Sequence, residues 1–277
     1  MTPTAQSSAQ QRRLMIRAAA GCWGDARDWG ERRALAGYFA RQLLRRAGLA
    51  KRAEGTIALS VGGIQLEIQP GNGELYLYQE IFRDGAYEQH PAFRLQPGWC
   101  VVDAGANIGV FSLRAARAGC ARVLAIEPDP NTFARLTRHV HLNRADAVIP
   151  LAVAAGAEPG RAIYRRGSAS TTGRLLRVRE SSSTNAAEIV VEIEQLARLL
   201  DRHGFPIVDL LKIDVEGGEA AVLKGAAPAL ARIARVVMEY HGETQLAESE
   251  NLLASHGLTR VMTAPPAYAF FARRGAA

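Results

Sequence analysis

Cysteine is scarce in this chain of 277 residues: only Cys22, Cys100 and Cys120 occur, and no two form a C-x-x-C pair. An odd, scattered set excludes a disulfide-stapled scaffold and a cysteine-built zinc centre, and it fits reduced thiols. Long apolar runs are missing too. None reaches the roughly 18–20 residues that a membrane span requires, so no transmembrane segment is expected. The first residues lack the charged start, apolar stretch and cleavage site of a secretory leader, so a cytoplasmic location is expected. Acidic residues are few at the start. Residues 1–53 hold 11 Lys/Arg against 3 Asp/Glu, a balance of +8; the remainder holds 23 against 24, a balance of −1. The main body is neutral, so a protein-wide nucleic-acid surface is not expected and the basic character belongs to an N-terminal appendage. What the chain has is enough apolar sequence for a sizeable core: 48% hydrophobic residues against 22% charged exclude wholesale disorder.

Residues 1–10 are polar and read as frayed, followed by basic helical stretches near 11–20 and 31–48. In the second, Leu35, Tyr38, Phe39, Leu43 and Leu44 recur at helical spacing, with arginines largely on other faces. Residues 56–68 read as a β-hairpin about Gly62-Gly63, and Pro70-Gly71-Asn72-Gly73 breaks the chain. From about residue 98 strands alternate with helices: strands at 101–103, 122–127, 147–153, 207–214 and 234–240, helices at 108–118, 131–142, 219–223 and 244–255, then a closing hairpin at 258–263 and 268–273. Such alternation predicts an α/β fold with a doubly wound, mostly parallel sheet and a ligand site at the carboxyl ends of its strands. Polar stretches at 168–172 and 181–185 read as a lid or an insertion. The division expected is a basic helical segment at 1–55, a hairpin and connecting region at 56–97, and the α/β domain at 98–277.

The first strand of that domain ends in Val101-Val102-Asp103-Ala104-Gly105-Ala106-Asn107-Ile108-Gly109. A glycine-rich turn between strand and helix lets a ligand approach the backbone closely. Glu127 ends the next strand and is placed to accept hydrogen bonds from ribose hydroxyls. Those features suit either a dinucleotide or S-adenosylmethionine. The spacing G-x-x-x-G departs from G-x-G-x-x-G, and Asp103 at the mouth of the loop would repel a pyrophosphate. The ammonium and sulfonium of S-adenosylmethionine suit an acidic strand end.

The run from Gly98 through Ser112 resembles the first motif of FkbM-type methyltransferases, and Ala125-Ile126-Glu127-Pro128-Asp129-Pro130 resembles their second. Leu211-Lys212-Ile213-Asp214-Val215-Glu216-Gly217-Gly218-Glu219 with Leu223-Lys224-Gly225 is similar to their most specific signature, and Val237-Met238-Glu239-Tyr240-His241-Gly242 to the strand that follows. Tyr87-Glu88 matches a Tyr-Glu pair of the family. The resemblance covers roughly residues 85–245. It implies a class I, Rossmann-like fold with a seven-stranded sheet behind an N-terminal helical and hairpin extension. It also implies S-adenosylmethionine-dependent methyl transfer, leaving S-adenosylhomocysteine. The acceptor implied is a hydroxyl of a sugar, glycan or secondary metabolite. N-methylation of a peptide or amine and a non-catalytic cofactor-binding scaffold are the alternatives.

On this reading Asp103 orients the methionine end, and the backbone of Gly105, Ala106 and Asn107 lines it, with Gly109 closing the turn. Glu127 holds the ribose, Pro128 or Asp129 edges the adenine and Val153 flanks its ring. Glu88 joins the cofactor set through the matching pair. Asp214 ends the fourth strand beside the methyl group, where it binds the methionine ammonium, orients the acceptor or accepts its proton, with Glu216 just beyond. His241 is a base or an acceptor-binding residue, its ordinary pKa near 6.5 suiting neutral pH. Lys212 reads as the partner of a carboxylate, and Glu219 as a carboxylate that complements a helix N-terminus. The other histidines read as surface or helix residues. Asp214, Glu216 and Glu239 could supply oxygens to a diol-binding magnesium, but no dedicated aspartate-asparagine pair stands out, so no metal is expected. The partners expected are a small-molecule or glycan acceptor and a second copy joined through the N-terminal segment.

Overall fold

The computed structural model describes residues 16–49, 56–69, 74–165, 174–176 and 188–276. The frayed start, the 70–73 break and the stretches at 168–172 and 181–185 lie outside the described residues. Contacts divide the chain into two compact units, Met1–Gly85 and Ala86–Ala277.

In the first unit residues 16–25 are helical (α1), followed by α2 (Trp29–Arg46), strands β1 (Ile57–Val61) and β2 (Ile64–Ile68), and α3 (Glu74–Tyr78). Asp28 starts α2 by accepting the Glu31 N–H at 2.8 Å, satisfying one orphan donor of the first turn. The hairpin turn places Gly62 and Gly63 at φ 58° and 79°, a pairing that L side chains resist and glycine does not. The alternating face of β1 and β2 buries Leu59, Val61, Ile64, Leu66 and Ile68, and α2 adds Leu35 and Tyr38. Leu43 and Leu44 do not join them; both are exposed. At 100° per residue Leu44, nine positions after Leu35, lies half a revolution away, so the apolar spacing read along α2 spans two faces. Glu31, buried at the start of α2, accepts from Ser60 Oγ at 2.6 Å and so ties the helix to β1.

The second unit opens with short 3-10 turns and then builds β3 (Cys100–Ala104), α4 (Val110–Arg117), β4 (Arg122–Ile126), α5 (Pro130–Leu142) and β5 (Val148–Leu151). A smaller sheet follows: β6 (Ala154–Ala155), β7 (Gly160–Arg165), β8 (Arg174–Leu176) and β9 (Glu188–Glu194), in the order β6-β9-β7-β8. The chain then returns to the main sheet through α6 (Leu196–Arg202), β10 (Leu210–Ile213), α7 (Glu219–Ala226), β11 (Arg235–Glu239), α8 (Glu243–Ser255), β12 (Leu258–Ala264) and β13 (Tyr268–Arg273).

That sheet has seven strands in the order β12-β13-β11-β10-β3-β4-β5. Strands β5, β4, β3, β10 and β11 run parallel, while β13 runs antiparallel to β11 and β12. From β3 the chain winds outward through β4 and β5, then returns to the other side of β3 with β10. The reversal between β3 and β10 is the topological switch point, where an open α/β sheet leaves a crevice beyond its strand ends. One face of the sheet, through Val102, Ala104, Leu211, Ile213, Val236 and Met238, is part of a buried apolar cluster with Leu196 and Leu200 of α6, Leu223 of α7 and Leu253 of α8. Cys22 and Cys120 are buried free thiols; burial foremost pushes them up to about 12 and about 11, so they stay protonated and unreactive.

Candidate active site

The turn after β3 is shaped by its left-handed residues: Gly105, Asn107 and Gly109 take φ 80°, 52° and 88°. A Cβ on Gly105 would overlap the Asp214 carbonyl oxygen, so the β3 and β10 loops approach as closely as glycine permits. The amides of this turn point back into the protein. Gly105 and Ala106 donate to the Ile126 carbonyl at 3.0 and 2.9 Å, and Asn107 donates to Glu127 Oε2 at 3.0 Å. A pyrophosphate needs such amides as donors. With three of them spent on the end of β4, the turn offers no amide cradle for a pyrophosphate. Gly109 starts α4 against Leu136 of α5, which leaves no room for a side chain there.

Parallel pairing sets Lys212 of β10 directly beside Asp103 of β3, and neighbours in register point to one face of a sheet. Lys212 Nζ lies 3.0 Å from Asp103 Oδ1, 2.8 Å from the Gly105 carbonyl oxygen and 3.7 Å from Asp214 Oδ2. Ser112 Oγ donates to Asp103 Oδ2 at 2.7 Å. Both charged residues are buried. Burial works against the lysine charge, but Asp103 and Asp214 outweigh it and hold the Lys212 pKa above the ordinary lysine value. Asp103 is thus a fully enclosed ion-pair partner with no exposed surface of its own.

Glu127 is enclosed between two amides, accepting from Asn107 on Oε2 and from Asp129 on Oε1 at 2.9 Å. Burial pushes its pKa up to about 7 despite those two donors. Asp129 caps α5, accepting from Asn131 at 2.8 Å with Pro130 in the first turn. Its carboxylate is occupied with the helix, which leaves Pro128, half-buried, as the edge available to an adenine. Val153 is half-buried just after β5. Glu88 is engaged within the protein: it accepts from Arg114 Nε at 2.9 Å and from the Leu95 amide at 3.1 Å. Its neighbour Tyr87 is the residue that reaches the crevice, donating its hydroxyl to Asp214 Oδ2 at 3.0 Å. Two adjacent residues in a tight turn point apart, and the sequence alone does not say which one faces the site.

Beyond β10 and β11 three predicted residues come together: Asp214, Glu216 and His241 offer ligating atoms that all lie within 4.8 Å of one another. Glu216 sits at φ 54°, a conformation that costs a non-glycine residue on the order of 1–3 kcal/mol. His241 Nδ1 lies 2.8 Å from Glu219 Oε1 and its Nε2 lies 3.3 Å from Glu216 Oε2. The hydrogen bond to Glu219 foremost, then the charges of Glu219, Glu216 and Asp214, raise the His241 pKa to about 9. A pKa raised above neutrality favours the charged ring, which donates, so the base role read for His241 from its ordinary pKa requires the ring to lose that proton first. Burial raises the Glu216 pKa above the usual carboxylate value. Glu219, at the start of α7, is fully buried; it serves His241 as well as the helix. His139, read as a surface or helix residue, is a buried helix residue whose Nδ1 lies 2.7 Å from the Ile108 carbonyl. A carbonyl only accepts, so Nδ1 carries the proton and ties α5 to the turn.

A seven-stranded sheet in this order, with an antiparallel last strand and acidic residues at its switch point, is the class I methyltransferase architecture. The methyltransferase FkbM domain matches residues 103–258, from Asp103 through α8. The 31-O-demethyl-FK506 methyltransferase FkbM of Streptomyces tacrolimicus is 32% identical over 77% of this chain and 92% of its own length. The hexuronic acid methyltransferase AglP of Haloferax volcanii is 30% identical over 58% of this chain and 64% of its own. A solved structure of a methyltransferase FkbM from Methylobacillus flagellatus KT is 19% identical with a TM-score of 0.48, covering 71% of this chain and 53% of that one. The chain belongs to the FkbM methyltransferase family, a class that draws its methyl group from S-adenosylmethionine.

Proposed function

We infer that this protein methylates a hydroxyl group of a sugar, glycan or secondary metabolite. The observation that carries the reading is the convergence of Asp214, Glu216 and His241 at the switch point, beside the glycine turn. Relatives point the same way: one is named for 31-O-demethyl-FK506 and another for hexuronic acid. S-adenosylmethionine, held by the glycine turn and Glu127, would supply an electrophilic methyl on sulfur for the acceptor oxygen, with the sulfur as leaving group.

Everything else falls to the chain. Glu127 accepts from the ribose hydroxyls, using lone pairs that the Asn107 and Asp129 amides leave free. Asp214, with Oδ2 held by Tyr87 and Lys212, keeps Oδ1 for the methionine ammonium or the acceptor. A hydroxyl nucleophile must shed its proton within hydrogen-bond reach of an acceptor group. The carboxylates of the cluster can take it, and the His241 imidazolium donates to the acceptor or holds Glu216 in place. Aligning donor and acceptor at near-attack distance is the larger part of the catalysis such a site supplies.

The test is a calorimetric titration with S-adenosylhomocysteine, beside Glu127→Ala. Losing hydrogen bonds to a charged acceptor costs about 1.5–3 kcal/mol. The variant should therefore bind at least about tenfold more weakly. Equal affinity in the two proteins would remove Glu127 from the site. Acceptor screening with a labelled methyl donor then decides between hydroxyl and amine products.

A further inference from the structure

We propose that Asp214, Glu216 and His241 form a binding site for a divalent cation of the magnesium–manganese class. An ion about 2.1 Å from each ligand holds its ligands roughly 3–4.2 Å apart. The present spread of 4.8 Å needs only a small side-chain closure. Side-chain exposures of 27%, 29% and 27% for Asp214, Glu216 and His241 leave the three open to an ion from solvent.

Two of the three ligands, His241 and Asp214, are already oriented from behind. His241 has its Nδ1 on Glu219 at 2.8 Å, which turns Nε2 toward Glu216. Metal-binding imidazoles are held in this way, one nitrogen on a carboxylate and the other on the ion, which takes the place of the proton that Nε2 carries in the charged ring. Glu219 is itself fully buried, and its Oε2 has no hydrogen-bond partner among the described residues. Glu219 Oε1 also accepts from the Gly217 amide at 2.9 Å, so this one buried carboxylate fixes both the imidazole and the turn that follows Glu216. Tyr87 and Lys212 both engage Asp214 through Oδ2, leaving Oδ1 for the ion. The two carboxylates are hard oxygen ligands of the magnesium–manganese class, the one imidazole favours manganese over magnesium, and three protein ligands leave open positions in an octahedral shell. The role of the ion rests on the acceptor reading above: at an open position it would seat the acceptor oxygen and make its proton easier to lose. Its binding does not rest on that reading. The sequence offered no compact motif for it, because the three ligands come from the ends of two strands and the turn between one strand and its helix.

The experiment is a titration of the full chain with Mn²⁺, reading free manganese by electron paramagnetic resonance, with Mg²⁺ as competitor. One Mn²⁺ per chain is expected, displaced by Mg²⁺, and bound at least tenfold more weakly by Glu216→Gln. Glu219→Gln, which touches no ion here but orients His241, should weaken binding about 10–100-fold. Glu127→Gln should bind manganese as the parent does while losing affinity for S-adenosylhomocysteine. Circular dichroism of each variant separates loss of the site from loss of the fold. The absence of a stoichiometric Mn²⁺, or equal binding by folded Glu216→Gln, overturns the proposal. If S-adenosylhomocysteine binds and manganese does not, the cation site falls and the methyltransferase reading stands. If manganese binds and S-adenosylhomocysteine does not, the reverse holds.

Discussion

At the scale of single residues, burial decides what the acidic strand ends can do. Glu127 ionises near pH 7 because it is buried, against an unfolded value of 4.5. In the free protein this carboxyl contributes stability below pH 4.5 that is lost as pH rises through about 7. Cofactor binding has the opposite sign, since ribose hydroxyls donate to the charged form. Affinity for S-adenosylhomocysteine should rise by roughly tenfold between pH 6 and pH 8 and be flat in Glu127→Gln. Titrations at three pH values check this, and a flat parent profile would mean the ribose lies elsewhere. Lys212 makes the complementary case. Removing one partner of a buried ion pair strands the other charge, at about 3–5 kcal/mol. Lys212→Met should lose that much in urea unfolding, and adding Asp103→Asn should recover a large part of it. Both members of the pair were legible in the sequence as charged residues on strands, but their pairing was not. It depends on β10 lying next to β3, a neighbour 109 positions away in the chain. Tyr87 was legible only as half of a dipeptide for the same reason.

At the scale of elements, the strand and helix alternation of the second unit could be read from residue 98 onward because each buried strand is a short apolar run and each helix has one polar side. The bounds agree closely for β3, β4, α5, α8 and the closing hairpin. The second sheet was not read. Its strands β7 and β9 flank the polar, small-residue sequence at 166–187, and β9, with six of its seven residues exposed or half-buried, alternates too weakly against glutamates to stand out. Turns were read as glycine-rich, yet sequence does not rank the glycines. Gly98 and Gly105 both adopt positive φ, 84° and 80°, but an added Cβ at Gly98 meets nothing within 4 Å while one at Gly105 meets the Asp214 carbonyl. Gly98→Ala should cost only the left-handed strain, about 1–2 kcal/mol. Gly105→Ala should cost at least about 1–3 kcal/mol more, from overpacking, and should weaken S-adenosylhomocysteine binding as well. Urea unfolding of the two variants separates the terms. Equal destabilisation would mean that the β10 loop yields, and that the close approach of the two loops is not what shapes the crevice.

At the scale of the whole molecule, charge and chemistry are assigned to different stretches of chain. The positive excess sits in residues 1–53, whereas Tyr87, Asp103, Glu127, Lys212, Asp214, Glu216, Glu219 and His241 all belong to the unit Ala86–Ala277. That unit also encloses its own apolar core, drawn from residues between Val102 and Phe271. An element that supplies no ligand and no core residue to a site changes its affinity little. A chain beginning at Ala86 should therefore fold and bind S-adenosylhomocysteine within about twofold of the full chain, well under the 1.4 kcal/mol that a tenfold change represents. Methyl transfer to an acceptor is a separate measurement on the same two proteins, and its loss with cofactor affinity intact would assign the basic unit to the acceptor. Loss of cofactor affinity itself in a folded shortened chain would place part of the cofactor site in the first 85 residues. A shortened chain that equals the full one in both affinity and turnover would leave the basic unit with a task apart from catalysis, to be sought in the oligomeric state of the two proteins by light scattering.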